Sequence, residues 1–388
     1  MPAVIFDVAI VGAGTAGLAL ARAARGLSVA LVAPGRAPLP PAGELDARVY
    51  ALSPGNAAFL AELGAWQAIA PERRAPVHAM QVHGDVAGSA IAFDAYRAGA
   101  SELAWIVEDR ALQAALWLGL QPRDGVEIFA PAQCRRLDLA ADVARLRLAD
   151  GRELAARLVV GADGAQSLVR EQTGITAVVH DYAQRALVAN FACARPHRGV
   201  ARQWFQGGPV LALLPLPGDR VSMVWSTDEA DAERLMAIDA AALAREVAAA
   251  AGGTLGEMSA LTALKAFPLR RLAASAAVAA RVALVGDAAH VVHPLAGQGA
   301  NLGLQDARQL AATLAAREPW RDPGDLRLLR RYARARAGDA LAMQATVHGL
   351  QRLFAAKAAP LARLRNAGLN LTDRLPVIKN LLIRQAMS

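Results

Sequence analysis

The stretch Val4-Ile-Phe-Asp-Val-Ala-Ile-Val11, running into Gly12-Ala-Gly14-Thr-Ala-Gly17, decides the fold. A mostly apolar run bounded by glycine fits a strand buried on both faces, as in a parallel sheet. Leu18 to Arg25 then fits a helix and Ser28 to Val32 the next strand. In that order the glycines have distinct tasks. Gly12 makes a tight turn, Gly14 lets the backbone approach a pyrophosphate, and Gly17 lets the helix pack closely on the strand. The helix N-terminus offers free N–H groups and a positive dipole end to phosphates. A purely structural glycine turn is the alternative, but strand, loop, helix and strand within about 30 residues favour dinucleotide binding. One part of the pattern is missing. The acid that ends the second strand and holds a ribose hydroxyl would stand near position 33, which is Ala33 followed by Pro34. Glu44 and Asp46 lie further on as substitutes.

Two more strands end in the same manner. Arg157 to Gly161 runs into Ala162-Asp163-Gly164, with Gln166, Ser167 and Arg170 beyond, and Val282 to Val285 runs into Gly286-Asp287-Ala-Ala-His290. Read alone, each aspartate fits a helix N-cap; behind a dinucleotide fingerprint, each also fits an acceptor for a polyol hydroxyl. After the third strand comes His293-Pro294-Leu-Ala-Gly297-Gln298-Gly299-Ala300-Asn301-Leu-Gly303-Leu-Gln-Asp306. Pro294 stiffens the entry, and Gly297, Gln298 and Gly299 let backbone amides approach a flat ligand. Asn301 begins a helix running to about Arg317, whose N-terminal dipole would stabilise negative charge on such a ligand.

Composition excludes several classes. The chain has 388 residues, 55% of them hydrophobic and 20% charged, so it is not mainly disordered. Length predicts two to three domains. The two cysteines, Cys134 and Cys193, make no disulfide scaffold and fit no metal or redox spacing. His290 and His293 have His-x-x-His spacing, but two ligands in a loop make a poor cage, so no metal is expected. No secretory signal or 18-residue uncharged apolar stretch is present, so a cytoplasmic protein is expected, with a peripheral place at the inner membrane left open. The net charge is +8, and only three of 42 basic residues are lysines, so compositional bias competes with any partner as its cause.

The His-Pro-Leu-Ala-Gly-Gln-Gly-x-Asn-x-Gly-x-x-Asp run resembles the signature of the flavin-dependent aromatic hydroxylases of ubiquinone biosynthesis, with every position matched. Asp46-Ala-Arg48-Val-Tyr-Ala-Leu52 is similar to the family's early motif, in which the arginine lies near the flavin. Ile106-Val-Glu-Asp-Arg110 with Leu112 to Leu116 looks like its next helix start. Trp204-Phe205, Gly208-Pro209, Leu213 to Leu216 and Val224-Trp225 look like its substrate-domain sheet, and Gly349 to Phe354 with Arg365, Asn366 and Leu369 like its C-terminal segment. His348 stands where the family often has an acid. The resemblance covers nearly the whole chain.

It implies an α/β fold: a Rossmann-like FAD-binding domain, as in p-hydroxybenzoate hydroxylase, with an inserted, mainly antiparallel β-sheet substrate domain and a helical C-terminal segment. The flavin domain would take 1–70, 97–180 and 269–330, the substrate domain 71–96 and 181–268, and the helical segment 331–388. Independently of the resemblance, Gln203 to Val224 fits two hairpin strands around Pro217-Gly218-Asp219. The expected cofactor-binding residues are Gly12, Gly14, Gly17, Arg48, Arg110, Asp163, Gly164, Gly286, Asp287, Gly297, Gly299, Ala300 and Asn301. On the catalytic side the flavin loop supplies His293, Pro294, Gly297 and Gln298, without a definite acid or base.

The implied reaction hydroxylates the ring of a polyprenylated phenol or quinol through a flavin C4a-hydroperoxide. It uses FAD, O2, and NAD(P)H or a reduced carrier as transient reductant. A hydroxylase of a soluble aromatic compound and a non-catalytic flavoprotein scaffold of a quinone-biosynthesis complex are the alternatives. From Gln351 to Ser388 seven basic residues face one acid, Asp373, giving +6 of the chain's +8. Leucines and isoleucines interleave with them, which fits either a packed helix with a solvated basic face or a surface touching anionic lipid or a partner complex. Nothing in the motifs points to nucleic acid.

Overall fold

The structure, a computed structural model, describes residues 4–38, 43–85, 89–120, 125–292 and 299–338. His293, Pro294, Gly297, Gln298 and the basic segment 351–388 lie outside the described residues.

The opening strand is Ile5–Val11, with Val8, Ala9 and Ile10 fully buried. It pairs in parallel with Glu153–Gly161 on one side and Val29–Val32 on the other. Val126–Phe129 extends the sheet beside Val29–Val32, and Val282–Leu284 extends it beside Glu153–Gly161, both parallel. Three antiparallel strands, Cys134–Leu139, Ala144–Leu148 and Val278–Ala279, complete eight. Both faces of the central strands are covered, which is why their sequences are nearly continuous apolar runs rather than alternating ones. Helix Thr15–Ala23 is buried continuously from Gly17 to Ala21, and the long helix Gly299–Ala315 packs beside it with Leu304, Leu310 and Leu314 in the same core.

A second, nine-stranded sheet is built around the 17-residue strand Ala177–Cys193. That strand pairs antiparallel with Arg220–Asp228, Lys265–Ala274 and Met258–Ala260. Beyond Arg220–Asp228 come Val210–Leu216, Val200–Phe205, Ala79–His83 and Ala90–Asp94, and His290–Val291 closes the opposite edge. Alternation decides its two faces. Leu187, Ala189 and Phe191 pack with Met223 and Leu211 under helices Glu229–Ala237 and Ala240–Ala250. The intervening Asn190 points the other way, and its Nδ2 donates to the Asp46 carbonyl at 2.8 Å, tying this sheet to the segment before Arg48. A third, three-stranded sheet of Val49–Leu52, Ala104–Glu108 and Arg74–Val77 lies alongside, its Ile106 and Val77 packed against Leu216 and Ala201 of the second sheet.

Several sequence expectations shift. The first helix starts at Thr15 and the long one at Gly299, each earlier than expected. Residues 203–224 span parts of three strands, because Gln206 N bonds to Pro209 O and turns the chain there. Arg74–Val77 pairs in the third sheet rather than with the substrate-side strands, and Lys265–Ala274 runs across the expected boundary at 269. The boundary at 330 cuts the helix at 326–338. Tyr332 of that helix is 1% exposed and its hydroxyl donates to Leu284 O at 2.9 Å, so this turn is integral to the first core.

Candidate functional site

Register gives the site its place. Val11 lies opposite Gly161, and Gly161 opposite Leu284, so three adjacent parallel strands end level with one another. The loops beginning at Gly12, Ala162 and Val285 leave the sheet at that edge, where ligands bind in open α/β sheets.

The first loop is fixed by sterics. Gly12 has φ +108°, and a Cβ there would come within 2.2 Å of Ala162 O. A Cβ at Gly17 would meet Gly12 O at 2.1 Å, so helix and loop touch backbone to backbone. Gly14 differs, since a Cβ there would meet nothing within 4 Å. The space it leaves lies before the first helical turn, which has no side-chain cap and no acid. Its amides are therefore free to bind an anion. Thr15 Oγ1 is buried there without a hydrogen-bond partner.

In the second loop, Ser167 is the N-cap of helix Leu168–Gln172, its Oγ accepting from Arg170 N at 3.0 Å, and Asp163 Oδ2 accepts from Val169 N at 3.1 Å in the same first turn. Its Oδ1 is buried and has no partner. Asp163 is therefore not the N-cap that its position suggested: one of its oxygens braces the helix start and the other is left for a ligand. Gly164 turns the chain at φ +80°.

In the third loop, Gly286 has φ +60°, and a Cβ there would lie 3.3 Å from Ala16 Cβ and 3.7 Å from Gly303 Cα. This contact brings the first helix, the third loop and the long helix together. Asp287 is the exposed residue of an otherwise buried loop. Burial by the surrounding protein pushes its carboxyl up, while Arg48 and His290 oppose that rise.

Arg48 acts electrostatically on Asp287 of the third loop, and Arg110 shares a cleft with Arg48. Arg48 Nε lies 3.7 Å from Asp109 Oδ2, and its guanidinium sits 5.4 Å from the centre of the Tyr50 ring. Arg110 Nε lies 3.7 Å from Asp46 Oδ2. Asp46 also accepts from the Arg48 and Arg110 amides, at 3.1 Å each. Burial and the neighbouring Asp109 push the Tyr50 phenol well up, so it remains a proton donor. A cleft of about 620 Å³ opens here, with Asp46, Arg48, Asp109 and Arg110 on one wall and Lys265 and Phe267 of the second sheet on the other.

Asn301 takes a different part from the one expected. Its Oδ1 accepts from Ser53 N and Asn56 Nδ2, both at 2.9 Å, and its Nδ2 donates to Ala51 O at 2.8 Å. The side chain is 1% exposed and locks the long helix to the strand and helix around Ser53. Only its backbone, with Gly299 and Ala300, is left to face a ligand. Ala33 is likewise committed: it is 1% exposed, its N donates to Phe129 O and its O accepts from Ala132 N. Asp46, proposed as a substitute acid, spends its oxygens on the two arginine segments.

Sequence reasoning missed Tyr50, Asp109, Lys265 and Phe267. Asp109 sat inside a quoted motif, but nothing in the spacing pairs it with Arg48. Lys265 and Phe267 carried no local signal, since only sheet register puts them on the cleft wall.

Comparison with known proteins gives the family. A family model described as "FAD binding domain" matches residues 6–346. The chain is 35% identical to ubiquinone hydroxylase UbiL of Rhodospirillum rubrum, over 99% of this chain and 90% of that protein. It is 34% identical to the 3-demethoxyubiquinol 3-hydroxylase of Escherichia coli, over 98% of each. Among solved structures, PqsL of Pseudomonas aeruginosa, a probable FAD-dependent monooxygenase, superposes with a TM-score of 0.77 at 26% identity, covering 95% of this chain and 100% of that one.

Proposed function

The chain belongs to the FAD-dependent monooxygenase family of ubiquinone biosynthesis, and from this premise we propose that it hydroxylates the ring of a polyprenylated phenol or quinol. It is an FAD-dependent aromatic hydroxylase of quinone biosynthesis. The substrate, O2, and NAD(P)H or a reduced carrier as transient reductant are the finer parts of the proposal. The observation that carries it is the level ending of three parallel strands, whose glycine-bearing loops leave the sheet at one edge, with Asp287 of the third loop within electrostatic reach of Arg48 on the wall of the charged cleft.

The residues present fit FAD. Thr15 Oγ1 and Asp163 Oδ1 are buried polar atoms lacking a partner, and Gly14 leaves room for a pyrophosphate against free helix amides. When bound, FAD supplies the redox chemistry and the activation of dioxygen. The protein's part is binding, orientation and exclusion of water. The amides after Gly14 hold phosphate, Asp163 and Asp287 accept from polyol hydroxyls, and Arg48 and Arg110, oriented by Asp109 and Asp46, keep positive charge on the cleft wall. The first sheet and its loops form the cofactor side. The second sheet, through Lys265 and Phe267, forms the substrate side and screens the reacting ring from water. The basic, leucine-rich segment 351–388 would bring the enzyme to an anionic membrane surface or a biosynthetic complex, where a prenylated substrate resides.

The test is direct. Purified protein given a reductant, O2 and a prenylated phenol should yield a product heavier by one oxygen atom. Equal turnover of a water-soluble phenol without the prenyl chain would move the assignment to a soluble-substrate hydroxylase. Protein that shows no flavin absorbance and takes up no added FAD would overturn both.

A further inference from the structure

Behind the third loop lies a buried cluster that none of the expected site residues includes. Asp306, on the helix Gly299–Ala315, is 1% exposed. Its Oδ2 accepts from the Gly286 amide at 2.9 Å and lies 2.7 Å from His290 Nε2. Its Oδ1 accepts from Arg336 Nε at 2.8 Å, and Arg336 also reaches Gln305 Oε1 at 3.2 Å. His290 and Arg336 are themselves buried. A charge taken this far from water is costly unless paired and hydrogen-bonded, and well-packed apolar residues often serve stability as well or better. Stability is therefore a weak reason for this cluster, whereas its geometry is specific.

One carboxylate oxygen holds both ends of the span from Gly286 to His290. Arg170 donates to Ala288 O at 3.0 Å and Tyr332 to Leu284 O at 2.9 Å, so the backbone is pinned on either side as well. Every anchor acts on the loop around Asp287, and none takes the Asp287 carboxylate. The charged groups facing His290 are Asp306, Asp287 and Arg336, and the Tyr332 phenol lies against Asp306 and Arg336. Burial opposes a charge on His290, but the Asp306 carboxylate outweighs it and raises the imidazole. Burial likewise opposes the Asp306 charge, and His290 with Arg336 holds that carboxyl below its usual range.

We propose that Asp306, His290 and Arg336 are positioning residues for Asp287: they clamp the loop and hold an imidazolium behind it, so that Asp287 stays aimed, ionised and ready to accept hydrogen bonds from the hydroxyls of FAD. This rests on the flavin reading above. FAD closing over Asp287 removes water from that carboxylate, and the imidazolium behind it is the compensating charge. Loss of its proton leaves the carboxylate less supported, so FAD binding weakens as pH rises through the His290 transition.

The experiment titrates apoprotein with FAD, following flavin fluorescence from about pH 6 to about pH 9, with circular dichroism confirming that each protein is folded. Wild-type affinity should fall about tenfold across that range, a shift of roughly one decade in Kd. His290→Gln should bind weakly at the acid end and show no pH slope. Arg336→Met should weaken binding and Arg336→Lys restore part of it. In an Asp287→Asn background, His290→Gln should add no further loss, which a merely structural role would not produce. His290→Gln with wild-type affinity and slope, or losses that add fully in the Asp287→Asn background, would overturn the proposal while leaving the flavin reading intact. Wild type that binds no FAD would overturn the flavin reading, and this inference with it.

Discussion

The loop at Gly12–Gly17 and the loop at Gly286–His290 leave the same edge of the same sheet, one strand apart. They are held by different forces. The first is fixed by the absence of side chains, since a Cβ at Gly12 or Gly17 would overlap backbone at about 2 Å. The second is fixed by the presence of charge, with one buried carboxylate holding both its ends. Steric fixing involves no titrating group and is insensitive to pH. Electrostatic fixing needs partners from elsewhere and responds to protons. The sheet edge at which both loops end thus has one rigid wall and one tunable wall.

The comparison can be broken by substitution, beginning with the largest effect. Arg336→Met leaves the buried Asp306 carboxylate short of a partner and should lower unfolding stability by about 3–5 kcal/mol, measured by urea denaturation. If the loss is within experimental error, the second loop is not held by charge. Gly17→Val should come next, at about 1–3 kcal/mol, because the helix must move off the loop. Gly14→Val should leave the melting temperature close to wild type, since its Cβ enters open space. FAD retention should nevertheless fall at least tenfold, because the pyrophosphate needs that space. A stability loss at Gly14 equal to that at Gly17 would show that the three glycines are not divided in this way.

The smallest effect is a pH dependence. His290 is raised above its ordinary 6.5, so its contribution is complete below that value and lost as pH rises through the higher folded-state pKa. Asp306 is lowered below its ordinary 3.8, so its contribution is complete above that value and lost as pH falls through the lower folded-state pKa. Stability from this pair should therefore be greatest between those two ordinary values. Melting curves across pH should show the alkaline decline in wild type and not in His290→Gln.

The first loop could be read in advance because its requirement is written in adjacent positions. Gly12, Gly14 and Gly17 follow a strand and open a helix, and no distant residue is needed to interpret them. The second loop showed its Gly286-Asp287 pair but not what holds it, since His290 and Arg336 lie 16 and 30 residues from Asp306 and share no pattern with it. Asn301 shows the limit of a matched signature. Its position was legible, but its side chain turned out to serve Ser53 and Asn56, about 250 residues earlier, rather than to face the flavin. Arg48 and Arg110 were legible as positions, while the carboxylates that orient them were not.

The sequence by itself determined the parallel α/β core, the glycine spacing of its first loop, and the family to which they point. These follow from short-range sterics and hydrophobic period, which any stretch of chain carries within itself. Only the tertiary structure decided which of Asp163's oxygens is free, which wall Lys265 and Phe267 line, and that the helix at 326–338 braces the strand leading into the third loop. Those depend on strand register and on burial. Both are set by residues far apart in the chain, and burial is what turns an ordinary aspartate, histidine and arginine into a charged clamp.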